Sequence, residues 1–184
     1  MLKDAQKDFL FNLNSAELES EVKNMALVKV MVSSKSNEWA TPQDFFNLLD
    51  NEFNFTLDPC STNENTKCKK HYTIAEDGLS EDWSNEVVFM NPPYGGNTGT
   101  WIKKAYEESL KGATVVCLIV SATDRSHWHE YIFPFAKQIR WIRGRLKFGD
   151  AKYSAPFASA VVIFSPITFS DKYIYYGKSI KKIA

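Results

Sequence analysis

Four consecutive residues, Asn91, Pro92, Pro93 and Tyr94, follow directly on the apolar run Val87-Val88-Phe89-Met90 and precede Gly95 and Gly96. The asparagine side chain and a proline carbonyl supply two hydrogen-bond acceptors on a stretch that proline keeps stiff, and the glycines let backbone approach a bound molecule closely. This pattern suits chemistry on a planar amino nitrogen, whose lone pair is delocalised into the ring or carbonyl that carries it. Two acceptors on the amino hydrogens favour the geometry that turns the lone pair toward an electrophile. Their hold strengthens as positive charge develops on nitrogen, so they act mainly in the transition state. Tyr94 offers a ring for stacking on a flat substrate. The bland alternative is a proline-rich turn that ends a strand. The strand before, the glycines after and the aromatic fourth residue favour the chemical reading.

The elements that must position these residues show a regular alternation. A strand at 87–90 leads through a loop at 91–99 to a helix at 100–111, a strand at 114–121, a helix at 126–136 and a strand at 139–142. Alternating strands and helices predict a mainly parallel sheet covered by helices, with ligands gathered beyond the carboxyl ends of the strands. A last strand at 158–164 follows a polar, glycine-containing loop without a helix, which predicts an antiparallel neighbour. Upstream, Thr41-Pro42 opens a helix through Phe45, Phe46, Leu48 and Leu49, with Pro42 at the first helical position. A short strand at 53–57 then ends at Asp58-Pro59-Cys60, and a further short strand is expected around 71–75. A helix-like stretch at 15–32 and a polar connector at 33–37 come before all of this. The expected organisation is an extension at 1–36 and one domain at 37–184; the segment from 173 onward carries no clear pattern.

Composition narrows the function classes. The chain has 184 residues, of which 44% are hydrophobic, enough for one substantial core. Its three cysteines cannot all pair, which points to a reducing, cytoplasmic setting. Its apolar runs are of strand length, far below the roughly 18 to 20 residues a membrane span needs. The formal net charge is zero, but residues 1–90 hold 8 basic against 16 acidic residues and residues 91–184 hold 14 against 6. Lys137, Arg140, Arg143, Arg145 and Lys147, interleaved with Trp141 and Phe148, suit a nucleic-acid backbone or, equally, a charged strand edge. Cys60, Cys68 and His71 lack a fourth ligand and the spacing of a zinc site, and no metal is expected. His127 and His129, beside Trp128, read as surface or groove residues.

With these residues in view, the chain resembles the DNA amino-methyltransferases, and more closely the small phage-type DNA N6-adenine methyltransferases, over roughly 37–164. Residues 91–94 match their Asn/Asp-Pro-Pro-aromatic motif. Glu38-Trp39-Ala40-Thr41-Pro42 with Phe45 matches their opening signature, and Asp58-Pro59-Cys60 follows in order. The resemblance implies a Rossmann-like α/β S-adenosylmethionine-dependent methyltransferase fold, reduced in size, mostly parallel with a C-terminal antiparallel strand. It implies S-adenosylmethionine as cofactor, with Trp39, Thr41, Pro42, Asp58, Pro59 and Cys60 around its methionine part, Asp58 on the ammonium and Thr41 on the carboxylate. Asp77, in Asp77-Gly78-Leu79 ahead of Asp82-Trp83, would border the adenine. The implied reaction is direct methyl transfer to adenine N6 in DNA.

The residues after Asp58 lack the glycine-rich loop of larger methyltransferases, and ribose contacts stay unassigned. No recognition domain follows residue 164, so sequence specificity is expected to be low or short. Base choice then falls to the pocket and to loops at 123–129 and 144–153, with Arg125, Arg143, Arg145 and Lys147 on phosphates and Phe148 beside the flipped base. A methyltransferase acting on a protein glutamine amide poses the same nitrogen chemistry, and a non-catalytic nucleic-acid-binding module is a third reading. The basic second half favours DNA over the first, and Asp58 with Asn91 favours catalysis over the second.

Overall fold

The computed structural model describes residues 39–149, 151 and 153–176. The expected helix at 15–32 and the connector after it lie outside them. Among the described residues, seven strands form one sheet in the order β2-β1-β3-β4-β6-β5-β7. They are β1 (Leu57–Asp58), β2 (Lys70–His71), β3 (Val87–Met90), β4 (Thr114–Val120), β5 (Gln138–Ile142), β6 (Ser159–Phe164) and β7 (Tyr173–Tyr176). Only β6 runs against the rest, inserted between β4 and β5 and paired antiparallel with both. The expected antiparallel strand is therefore present, with a neighbour on each side. The stretch that carried no sequence pattern adds β7, parallel to β5.

Side chains on β4 and β6 alternate between two cores, as strand geometry requires. Val115, Cys117 and Ile119 join Val162 and Phe164 on one face, against Trp101, Ile102 and Ala105 of helix α2 (Thr98–Leu110) and Trp128 and Ile132 beyond it. Val116, Leu118, Val161 and Ile163 point the other way, against Phe45, Phe46 and Leu49 of helix α1 (Gln43–Phe53). Apolar residues at both phases explain why these strands read as continuous hydrophobic runs.

Three expected boundaries shift. The stretch at 53–57 is not a strand throughout. Helix α1 continues to Phe53, Asn54 takes a left-handed conformation with its N–H on the Asp50 carbonyl at 2.8 Å, and only Leu57 and Asp58 are extended. The alternating Phe53, Phe55 and Leu57 mimic a strand, but Phe53 and Phe55 stack on each other with centroids 5.7 Å apart. The strand expected at 71–75 is the pair Lys70–His71. The helix expected at 126–136 is a π-helical turn, Trp128–Ile132, followed by one short α turn, α3 (Phe133–Phe135). Pro134 has no N–H to donate to the helical ladder, so a regular helix cannot pass through it.

The chain visits β1, moves outward to β2, then returns to place β3 on the other side of β1. The strand order reverses between β1 and β3. Such a reversal opens a crevice beyond the carboxyl ends of the strands, and Asp58 ends β1 while Asn91 follows β3.

Candidate active site

A cavity of about 520 Å³ occupies this crevice. Of the residues singled out from the sequence, Trp39, Thr41, Asp58, Pro59, Cys60, Asp77, Asn91, Pro92 and Pro93 all line it. Pro42 caps α1 behind the wall.

Asp58 is 4% exposed. One carboxylate oxygen accepts the Lys67 backbone N–H at 3.0 Å and the other the Cys60 N–H at 3.4 Å. Burial raises its pKa above the ordinary value, and these two N–H groups offset only part of the rise. Around it the loops are pinned. The Tyr72 N–H donates to the Asp58 carbonyl at 2.9 Å and the Ser61 N–H to the Tyr72 carbonyl at 3.2 Å. Gly78 packs so tightly on the Pro59 carbonyl that a Cβ there would overlap it. The Trp83 indole donates to the Gly78 carbonyl at 2.9 Å, and Trp83 stacks beside Trp101. Asp77 is thereby held on the rim in a left-handed conformation, its Oδ1 accepting the Leu79 N–H.

Asn91 donates its side-chain N–H to the Trp39 carbonyl at 2.5 Å. Its Oδ1 is shielded from water and has no hydrogen-bond partner among the described residues, nor has the hydroxyl of Thr41 or of Ser61. Buried polar atoms are rarely left unpaired without a reason. The loop beyond is tied down by Thr98, whose hydroxyl meets the Gly95 carbonyl at 3.1 Å. Cys60 sits by the Asn91 backbone, and burial, with the Asp58 charge, holds its thiol well above the ordinary value.

Tyr94 is placed differently from the free stacking platform its motif position suggests. It is 7% exposed and meets Phe148 and Phe157 edge to face, centroids 6.1 and 5.3 Å away; burial pushes its phenol pKa up. Trp39 packs edge-on against the same two rings. Phe148 is likewise buried, inside this aromatic group. Arg125, Arg143, Arg145 and Lys147 are exposed. Arg145 is bound to the Pro156 carbonyl. Arg140, counted above in the basic cluster, turns inward, where it grips both carboxylate oxygens of Glu52 at 2.6 Å and is nearly buried.

Lining residues that the motifs did not reveal include Glu64, Lys67, Ile74, Asn97 and Trp101. Trp101 lies on the apolar stripe of an amphipathic helix, where spacing alone reads as core. Lys67 sat in an irregular passage without pattern.

The buried acceptors and hydroxyls, with a carboxylate ringed by N–H donors, fit a ligand carrying an ammonium, a carboxylate and polar hydrogens. The sheet with its one reversed strand, and the crevice walled by the ends of β1 and β3, make this a small Rossmann-like methyltransferase fold. A family model described as DNA N-6-adenine-methyltransferase (Dam) matches residues 29–174, and the chain belongs to that family. It is 31% identical over 111 residues to the DNA N-6-adenine-methyltransferase of Haemophilus phage HP1 (strain HP1c1), covering 59% of this chain and 64% of the relative. To the DNA N-6-adenine-methyltransferase of Escherichia phage T1 it is 27% identical over 110 residues, covering 59% of this chain and 45% of the relative. The chain thus spans less than two thirds of the length of either phage protein.

Proposed function

We propose that the protein transfers a methyl group from S-adenosylmethionine to N6 of adenine in DNA, with low or short sequence specificity. The observation that carries this reading is the buried, unpaired Oδ1 of Asn91, on an amide whose nitrogen is already committed to Trp39. That commitment leaves the oxygen end of the amide as the acceptor, the polarity an amino substrate requires.

In this reading Asn91 Oδ1 and the Pro92 carbonyl accept the two amino hydrogens of an adenine extruded from the duplex or presented single-stranded. The prolines keep the acceptors in place before substrate arrives, so little reorganisation is left for the chemical step. Asp58 and Thr41 hold the amino-acid end of the cofactor, Trp39, Pro59 and Cys60 shape its wall with Pro42 setting the helix start behind it, and Asp77 borders its adenine. When bound, the cofactor supplies an electrophilic methyl group on a sulfonium. The methylated nitrogen is strongly acidic and its proton passes to water, so no dedicated base is required. Arg125, Arg143, Arg145 and Lys147 contact phosphates, Arg145 also tying its loop to the Pro156 carbonyl, while Phe148 supports the base-binding wall through Tyr94. The catalytic domain is assigned to 37–184, with 1–36 as an extension and the cytoplasm as its setting; no described helix is long and apolar enough to cross a membrane.

The test is transfer of labelled methyl from S-adenosylmethionine to unmethylated DNA, by the native chain and by Asn91→Ala, with nucleoside analysis of the product. Label in N6-methyladenine that disappears in Asn91→Ala supports the reading. Binding of cofactor without transfer to any DNA overturns it.

A further inference from the structure

Three carboxylates, Asp58, Glu64 and Asp77, line the cavity, and among the described residues Lys67 is the one lysine or arginine on its wall. Lys67 occupies an unusual position. Its backbone N–H holds Asp58, while its ammonium reaches Gln43, the first residue of α1, donating to the neutral side-chain oxygen at 2.8 Å. Gln43 is set for this by its own bond to Asn47, also 2.8 Å. The lysine is half-buried, and loss of water lowers its pKa although the nearby Asp58 raises it. Thr41, two residues before the helix, is 4% exposed and its hydroxyl has no partner among the described residues. Helix α1 begins without a side-chain cap at Pro42, and its first turn is answered by Asp44, whose carboxylate accepts the Phe45 N–H at 2.9 Å. A cation and a hydroxyl without a partner among the described residues thus line one cavity with a buried carboxylate. That is the complement of a zwitterion.

We propose that Lys67 is the counter-cation for the α-carboxylate of the methyl donor, so that Lys67 and Thr41 bind the carboxylate while Asp58 binds the ammonium of one free amino-acid group. The proposal rests on the functional reading above and deepens it, since it names a residue that neither motif nor spacing revealed. One lysine joins both halves of the site, its main chain orienting the carboxylate of Asp58 and its side chain supplying the cation.

The test is calorimetric binding to the full chain of two ligands, S-adenosylmethionine and its decarboxylated analogue, which keeps the amine and loses the carboxylate. Lys67→Met is expected to weaken S-adenosylmethionine about 10- to 100-fold, as loss of a charge-assisted hydrogen bond would, and to leave the analogue within about threefold. Lys67→Arg is expected to restore most of the loss. Equal weakening of both ligands would mean that Lys67 only tethers its loop to Gln43, and unchanged affinity for S-adenosylmethionine would remove it from the site; either overturns the proposal. Carboxylate-dependent binding in a protein that methylates no DNA would support Lys67 and overturn the DNA reading alone.

Discussion

The amide nitrogen of Asn91 donates to the main-chain oxygen of Trp39 across 52 residues of sequence, and the Ala40 carbonyl next to it accepts the Gly149 N–H at 2.8 Å. The opening segment is therefore a strap between the β3 loop and the loop that carries Phe148. Asn91→Asp keeps an acceptor but sets a carboxylate against the Trp39 carbonyl. Turnover is expected to fall about 10- to 100-fold, less than the roughly 100- to 1,000-fold expected for Asn91→Ala, with cofactor affinity little changed in either. Single-turnover rates beside binding isotherms check this; equal rates for Asp and Ala would mean that the acceptor is not what matters.

Cofactor affinity should depend on the ionisation of Asp58. Its folded pKa is raised by burial, so the ionised form is a cost to the folded protein that shrinks as pH falls, whereas binding an ammonium requires that form. Affinity for S-adenosylmethionine is expected to weaken toward acid, up to tenfold per pH unit, beginning above the ordinary carboxylate range of about 3.9. Titrations between neutral and acid pH measure it. Asp58→Asn should bind weakly with no slope; a native affinity that stays flat into acid would sink the assignment.

Gly78→Ala is expected to destabilise the fold by about 1 to 3 kcal/mol, since the new Cβ overlaps the Pro59 carbonyl and one of the two loops must move. Urea unfolding gives the figure. Because the displaced loop carries Asp58 and Cys60, cofactor affinity should fall with it.

Glu108 is completely buried on α2, where it accepts the Trp83 N–H at 2.9 Å and pairs with Lys104 and Lys111 at 2.8 Å. Burial tends to raise its pKa, but these partners outweigh that and hold it below the ordinary value. A lowered folded pKa contributes stability that is present above the unfolded value of about 4.3 and lost as pH falls through the folded one. Glu108→Gln is expected to cost about 1.5 to 3 kcal/mol near neutrality and to flatten the acid limb of the stability curve. Denaturation series at several pH values test both statements.

Arg143 and Lys147 are exposed on the loop after β5. Replacing either with Ala should weaken DNA binding at all sequences and reduce the slope of log affinity against log salt by about one. Arg140→Ala should instead lower stability with an unchanged salt slope, since its guanidinium is spent on Glu52. Fluorescence binding isotherms over a salt series separate these outcomes.

Much of this was legible from residue order alone. An apolar run ending in Asn-Pro-Pro-Tyr located β3 and the site together, because both acceptors and the stiffness of the turn are written in the residue types. The reversed β6 followed from a loop without a helix. Other features depended on contacts that no local pattern encodes. The length of α1 is set by Phe53 and Phe55 packing together, which alternation cannot distinguish from strand pairing. Arg140 lies among exposed cations in sequence but turns inward, where Glu52, 88 residues away, together with Phe53 and Gln138, holds it. Tyr94 sits where a stacking ring is expected, yet Phe148 and Phe157 from a distant loop enclose it. Lys67 was invisible because its position depends on a helix start that comes 24 residues earlier.

The insertion of β6 between β4 and β5 bears on how the protein is made. Until residues 159–164 leave the ribosome, β4 has no partner on that side and β5 cannot join the sheet, although both are already synthesised. A nascent chain stalled before that point leaves one edge of β4, a strongly apolar strand, uncovered, the kind of surface on which chains associate. The strand at 159–164 is thus the keystone of a sheet whose crevice-forming strands, β1 and β3, are translated first. Folding must wait for it, with many long-range pairings closing late, as expected of a slow-folding topology.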